Sequence, residues 1–373
     1  MKKIRIILII LIIILIPFST LFMPFSFANA KGSDDYSHVM CDNITNKDAK
    51  VTSIAMLGAH DAFSNGINKS SLPNTNESGI YTNNIVNTLA KGLVVRMSKA
   101  QVASASEMLK AGVRYFDVRC TKIDNKYYAC HGYLSYELDY YIKDIVDFLG
   151  ENDGEFIIFD LQHFYTSTAT NYDISNQEYI DLLNYLNQYK NAKGLSFLDY
   201  IHYDSSVDAL SNLTYQKVVS TNAGIIMLAK VSKLTDTYPL TCIYKRDGDA
   251  LKDGGEYESV RSFWHNTNDT NELINGIDEE YDLVKEKKYS GIFIINQAQE
   301  TGFFTNLKII RSLFSWSIID MANFSNKALV SDEERFVKWL DAMPIVMVDY
   351  CTSKKGDFNK LANEYIIKKN KSL

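Results

Sequence analysis

The sequence predicts a single α/β catalytic domain, and three observations carry that reading. Short apolar runs alternate with helix-periodic stretches over residues 51–360; several runs end in polar, chemistry-bearing residues; and no Gly/Pro-rich linker, charge boundary or internal repeat divides the span. The chain has 373 residues, 46% hydrophobic and 23% charged, which suits a substantial core and excludes a disordered or collagen-like chain. Its 39 Lys and Arg against 45 Asp and Glu give a formal charge of −6, which argues against a nonspecific polyanion-binding surface and hence against nucleic acid as a partner.

Residues 1–30 read as a secretory signal peptide. Lys2, Lys3 and Arg5 precede an apolar run from Ile6, and Ala28-Asn29-Ala30 supplies small residues for cleavage. Export to the outside follows, with an uncleaved N-terminal membrane anchor as the alternative, although Pro17 and Pro24 interrupt the apolar stretch. Cleavage after Ala30 removes the three positive charges and leaves 343 residues of formal charge −9. Residues 31–50 form a polar lead-in.

The first strand is expected at 51–58, just before Ala59-His60-Asp61, and the Asn/Ser/Gly-rich stretch 65–79 reads as a surface excursion. Val102, Ala105, Met108 and Leu109 make a helix stripe over 98–111, and Gly112 stops it before a strand at 113–119. A helix at 140–149 then leads to a strand at 156–161, and a helix at 177–189 toward a strand at 225–228. Further strands are expected at 292–295 and 344–349. Residues 239–290 look irregular, suggesting a lid or large loop, and 361–373 a polar tail.

The segment RYFDVRCTKIDNKYYACHG predicts a hairpin. If Asp124-Asn125-Lys126 is its turn, opposing residue numbers sum to 250, so Arg119 faces His131 and Cys120 faces Cys130. In an exported protein that cysteine pair is a candidate disulfide; two adjacent buried thiols are the alternative. Cys41, Cys242 and Cys351 lack metal-ligand spacing. His60, Arg119 and His131 together suit phosphoryl transfer. One imidazole removes a hydroxyl proton, a second protonates the leaving oxygen, and the guanidinium meets charge on phosphate. Asp61, Asp117 and Asp349 are placed to orient or tune the histidines.

With LGAHDAF, GVRYFDVR, CHG, EFIIFDL and VMVDY in place, the chain resembles the catalytic X domain of the phosphatidylinositol-specific phospholipase C family over residues 51–360, particularly its secreted, metal-independent bacterial members. The resemblance implies a distorted TIM barrel. It implies His60 as general base, His131 as general acid, Arg119 on the phosphate, Asp349 orienting His60, and Asp61 and Asp117 as supporting carboxylates. It also implies diacylglycerol and inositol 1,2-cyclic phosphate as products, no cofactor and no metal.

Gln162 stands where a Bacillus-type pattern has lysine and the calcium-dependent branch has glutamate. Tyr115 replaces a metal-binding carboxylate of that branch, and the expected headgroup arginine aligns with Val231 or shifts to Lys230. Gln162, His163 and Lys230 are therefore the candidate substrate-binding residues. Phe303, Phe304, Phe314 and Trp316 read either as a membrane-contacting rim or as a packed barrel helix. The expected partner is phosphatidylinositol, or its glycosylated form, at a membrane surface, met by a monomer. The alternatives are a secreted glycerophosphodiester phosphodiesterase, a phospholipase for another headgroup, or a non-catalytic lipid-binding module.

Overall fold

The computed structural model describes residues 35–77, 82–83, 91–202, 210–220, 222–231, 243–246, 249–250, 257, 259–302 and 317–373. Among them eleven strands form one sheet: β1 (Met56–Ala59), β2 (Val113–Ile123), β3 (Lys126–His131), β4 (Tyr133–Glu137), β5 (Phe156–Tyr165), β6 (Gly224–Ala229), β7 (Tyr244–Lys245), β8 (Asp249–Ala250), β9 (Val260–Phe263), β10 (Phe293–Gln297) and β11 (Ile345–Val348). Nine run parallel in the order β7-β6-β5-β2-β1-β11-β10-β9-β8. Because β11 lies against β1, the sheet curls into a distorted barrel left open between β7 and β8 among the described residues. Helices form its outer layer, as connections between parallel strands require.

Strand alternation explains both faces. Met56, Tyr115, Ile158, Ile226, Phe293 and Ile345 fill the barrel interior. Their neighbours Leu57, Phe116, Phe159, Met227, Ile294 and Val346 pack outward in the larger core cluster. Further along the same faces, the interior positions of β2, β5, β9 and β10 become Asp117, Asp160, Ser262 and Gln297, all buried. The barrel is thus oily at the N-terminal ends of its strands and polar at the C-terminal ends.

The helices follow their local signals. Ala105–Lys110 begins at a Ser104/Glu107 capping box, so it is shorter than the expected 98–111 and leaves residues 98–104 free to contact the strand ends. Asp269 caps Thr270–Lys287, whose last turn carries Lys285 and Lys287. Together with β9, this 18-residue helix corrects the reading of 239–290 as irregular. The polar character of 361–373 conceals most of another helix, Phe358–Asn370, which buries Ala362, Tyr365 and Ile366. Strand 51–58 resolves into a 3-10 turn at Val51–Ser53 followed by β1. No helix among the described residues is long and apolar enough to cross a membrane.

The hairpin forms, but its register is corrected by one residue. The turn is only Asp124-Asn125, both at positive φ (48° and 62°), so Lys126 joins β3 opposite Ile123 and Cys120 faces Ala129. A one-residue slip sends each side chain to the other face. Cys120 and Ala129 join the outer core, while Cys130 receives a hydrogen bond from Asn74 Nδ2 at 3.4 Å. Cys120 and Cys130 are therefore free buried thiols, and the expected disulfide is absent.

A buried ion pair ties the lead-in to the barrel. Arg114 Nε donates to Glu155 Oε2 at 2.7 Å, and its other nitrogens reach the carbonyls of Tyr36, Ser37, Leu109 and Val113. Glu155 Oε1 accepts from the Met40 and Cys41 amides. Glu155→Ala would strand a buried guanidinium. We expect urea denaturation to show a loss of about 3–5 kcal/mol, and a loss under ~1 kcal/mol would contradict the assigned role of this pair.

Candidate active site

The C-terminal ends of β1, β2 and β11, with the end of β3, bring His60, Asp61, Asp117, Arg119, His131 and Asp349 into one cluster. β1 ends at Ala59, and the His60 amide continues its ladder to the Val348 carbonyl at 3.0 Å. The chain then turns through Asp61 at φ 43°, which aims that buried carboxylate back toward Arg119 and His131. Asp117 Oδ2 accepts from the Asp61 amide at 3.2 Å and holds the turn.

His60 Nδ1 meets Asp349 Oδ1 at 2.6 Å, while its Nε2 lies 3.2 Å from Arg119 Nη2, 3.6 Å from Asp61 Oδ2 and 3.9 Å from Asp117 Oδ2. His131 Nδ1 lies 3.0 Å from both Asp61 Oδ2 and the Ser98 carbonyl oxygen. Both rings are thus anchored at Nδ1, which leaves Nε2 as the nitrogen turned away from that anchor. Arg119 closes the set, with Nε 2.5 Å from Asp61 Oδ1 and Nη2 3.5 Å from Asp117 Oδ2. The two imidazole centroids are 6.4 Å apart.

Three carboxylates surround one guanidinium and two imidazoles, and this decides the proton affinities. Burial drives His60 down, but Asp61 and Asp349 outweigh it and carry the ring up to about 9. His131 is also raised, its desolvation overcome by Asp61. Burial pushes Asp61 up, yet Arg119 and the two histidines hold it well below the usual carboxylate range. Burial raises Asp349 despite its contact with His60. The Arg119 contact needs a bare Nε2 on His60, whereas the carboxylates favour a proton there. The ring is poised between these states, and the carboxylate excess sets the direction.

His60, Asp61 and Asp117 have the spacing of a cation site, their ligand atoms lying within 4.8 Å of one another. The contacts just described put the Arg119 guanidinium against all three residues, so a fixed cation already serves these donors.

Of the expected substrate residues, Gln162 and His163 lie on β5 next to β2, and Lys230 follows β6 on the far side of β5. The β2–β5 register shifts so that Val118 pairs with Leu161 and Arg119 with His163, leaving Gln162 as the bulged residue. His163 is thereby placed next to Arg119; its Nδ1 lies 3.0 Å from Asn171 Nδ2, and its ring stacks on Tyr165. Lys230 is buried just past β6, its carbonyl accepting from Tyr179. Phe303, Phe304, Phe314 and Trp316 lie outside the described residues.

Other participants are invisible to motif reading. Gln101 Nε2 donates to the carbonyls of His60 and Val348, Asn326 Nδ2 to that of Asp349, and Ser98 contributes only its carbonyl. Beneath the cluster, Asp160 accepts from Tyr115 at 2.5 Å and from Arg246 at 2.7 Å. A side chain that binds backbone leaves no residue-type pattern, so only the fold reveals these roles.

In histidine NMR titrations His60 should show a midpoint near 9, and Asp349→Asn should lower it by about one unit or more. The folded value exceeds the unfolded one of ~6.5. The associated stability is therefore complete below about pH 6.5 and is lost as pH rises through about 9. A His60 midpoint at or below ~6.5 would contradict this electrostatic account.

A scan of family models finds no match. Among curated proteins, PI-PLC X domain-containing protein 3 of Mus musculus is 31% identical over 121 residues, 31% of this chain and 38% of that protein. The Variant-surface-glycoprotein phospholipase C of Trypanosoma brucei brucei is 33% identical over 123 residues, 30% of this chain and 34% of that protein. The aligned stretches thus span less than half of both relatives. Among solved structures, a mutant of the phosphatidylinositol-specific phospholipase C from Staphylococcus aureus shares the fold. Its TM-score is 0.59 at 15% identity, covering 89% of this chain and 97% of that one. Over about a third of its length the chain is thus similar in sequence to phosphatidylinositol-specific phospholipase C X-domain proteins, and over nearly all of it the chain shares the distorted barrel of the Staphylococcus aureus enzyme.

Proposed function

We propose that the protein is a phosphatidylinositol-cleaving phospholipase C working by histidine acid–base chemistry. The observation that carries this reading is the pair of Nδ1-anchored imidazoles, 6.4 Å apart, with Arg119 directed at His60 Nε2. In its neutral form His60 takes the proton of the inositol 2-hydroxyl, and that oxygen attacks phosphorus. Protonated His131 donates to the departing diacylglycerol oxygen, and the other product is inositol 1,2-cyclic phosphate. Reversing the two roles lets water open the ring. Arg119 puts positive charge where the phosphoryl oxygens gain negative charge. Asp349 orients His60, and Asp61 steadies Arg119 and His131.

The guanidinium among His60, Asp61 and Asp117 supports a reaction that needs no divalent cation, and it counts against the glycerophosphodiester phosphodiesterase reading. We also place the protein outside the cell as a monomer, acting on phosphatidylinositol or its glycosylated form at a membrane. The name of the trypanosome relative lends some support to an anchored glycoprotein substrate.

Incubated with phosphatidylinositol vesicles and excess chelator, the protein should release cyclic inositol phosphate, visible by phosphorus NMR. No cyclic product, with turnover of another phosphodiester, would refute the mechanism. His60→Ala and His131→Ala should each reduce kcat about 10²–10⁴-fold, and Arg119→Ala about 10²–10³-fold. Near-normal turnover would remove that residue from its role.

A further inference from the structure

We infer that Gln101 is a positioning residue for this reaction: its buried side-chain amide holds the ends of β1 and β11 so that His60 Nδ1 meets Asp349 Oδ1. His60 and Asp349 lie just past the last paired residues, Ala59 and Val348, where one ladder bond, from the His60 amide to the Val348 carbonyl, remains. Gln101, with 0% exposure, adds to it there. Its Nε2 donates to the His60 carbonyl at 2.9 Å and the Val348 carbonyl at 3.0 Å, and its Oε1 accepts from the Cys351 amide at 3.1 Å. One amide thus binds the backbone of His60 itself and brackets Asp349 from both sides.

Gln101 is itself pinned. Ser64 Oγ accepts from the amides of Ala100 and Gln101, both at 3.0 Å, and the Ala100 carbonyl accepts from the Tyr350 amide at 2.8 Å. Three segments that are remote in sequence, 60–64, 98–101 and 348–351, therefore close into one hydrogen-bonded circuit. The same segment reaches the second histidine, since the Ser98 carbonyl lies 3.0 Å from His131 Nδ1.

Glutamine suits the place because it needs two donors and one acceptor on a single planar group. Glutamate would offer no donor and would set a further carboxylate beside Asp349. Methionine would keep the volume and lose all three bonds. A shift of a fraction of an ångström matters at a 2.6 Å contact, because beyond ~3.2 Å the pair leaves the usual hydrogen-bond range and weakens.

The test is histidine NMR on Gln101→Met, with circular dichroism to confirm folding. The His60 midpoint should fall at least tenfold in proton affinity, while that of His131 moves less. On phosphatidylinositol vesicles, kcat should drop about 10–100-fold with little change in KM, and the acid limb of the pH profile should move with the His60 midpoint. Ser64→Ala loosens the same circuit from outside and should shift His60 in the same direction by less, which keeps the idea testable if Gln101→Met does not fold. A folded Gln101→Met, or failing that a folded Ser64→Ala, with the wild-type His60 midpoint overturns the inference. The proposal rests on the phospholipase reading only for its turnover arm. The titration needs no substrate, so a failure of that reading and a failure of this one are separable.

Discussion

The buried carboxylate of Asp61 is the contact on which the rest of the site depends. It meets Arg119 Nε at 2.5 Å and His131 Nδ1 at 3.0 Å, and lies 3.6 Å from His60 Nε2. A carboxylate fully removed from water is tolerated only where such partners surround it. The turn that places it requires φ 43°, an uncommon backbone state for aspartate, held by the Asp117 side chain and the continuing ladder from His60 to Val348. Without Asp61, Arg119 and His131 would each lose their nearest anionic partner. The geometry proposed for phosphate binding and leaving-group protonation therefore follows from the ionisation of one side chain.

That arrangement has an electrostatic consequence. Three carboxylates against one guanidinium leave the cluster short of positive charge until both imidazoles are protonated. With His60 neutral and His131 protonated, the state proposed for catalysis, the cluster keeps a formal charge of −1, and Arg119 is its fixed positive group. The barrel supports this by confining polar side chains to one end. Below Asp117 and Asp160 the interior is aliphatic and aromatic, so the buried contacts sit over a low-dielectric floor.

Much of the site was legible because catalysis demands residue types that are conspicuous near strand ends. His60, Arg119, His131 and the three aspartates all belong to short motifs in which polar residues interrupt apolar runs, and the fold gathers all six. The hairpin was legible as a hairpin, yet its register was not. Two consecutive residues at positive φ, Asp124 and Asn125, made a turn one residue shorter than expected, and that slip alone separated Cys120 from Cys130. Helix Thr270–Lys287 was hidden by its polar surface, and its hydrophobic stripe of Leu273, Ile277, Glu280 and Val284 is interrupted by the carboxylate that pairs with Arg261.

By itself the sequence determined an α/β domain, the strands that carry the chemistry and the residues able to perform it, since hydrophobic periodicity and side-chain chemistry are local properties. Only the tertiary structure decided which nitrogen of each histidine is anchored, that Arg119 stands where a cation would fit, that Gln162 bulges to set His163 beside Arg119, and that Gln101 ties His60 to Asp349. Those facts depend on distances between segments up to 289 residues apart, and they are set by strand order, register and turn length rather than by any local pattern.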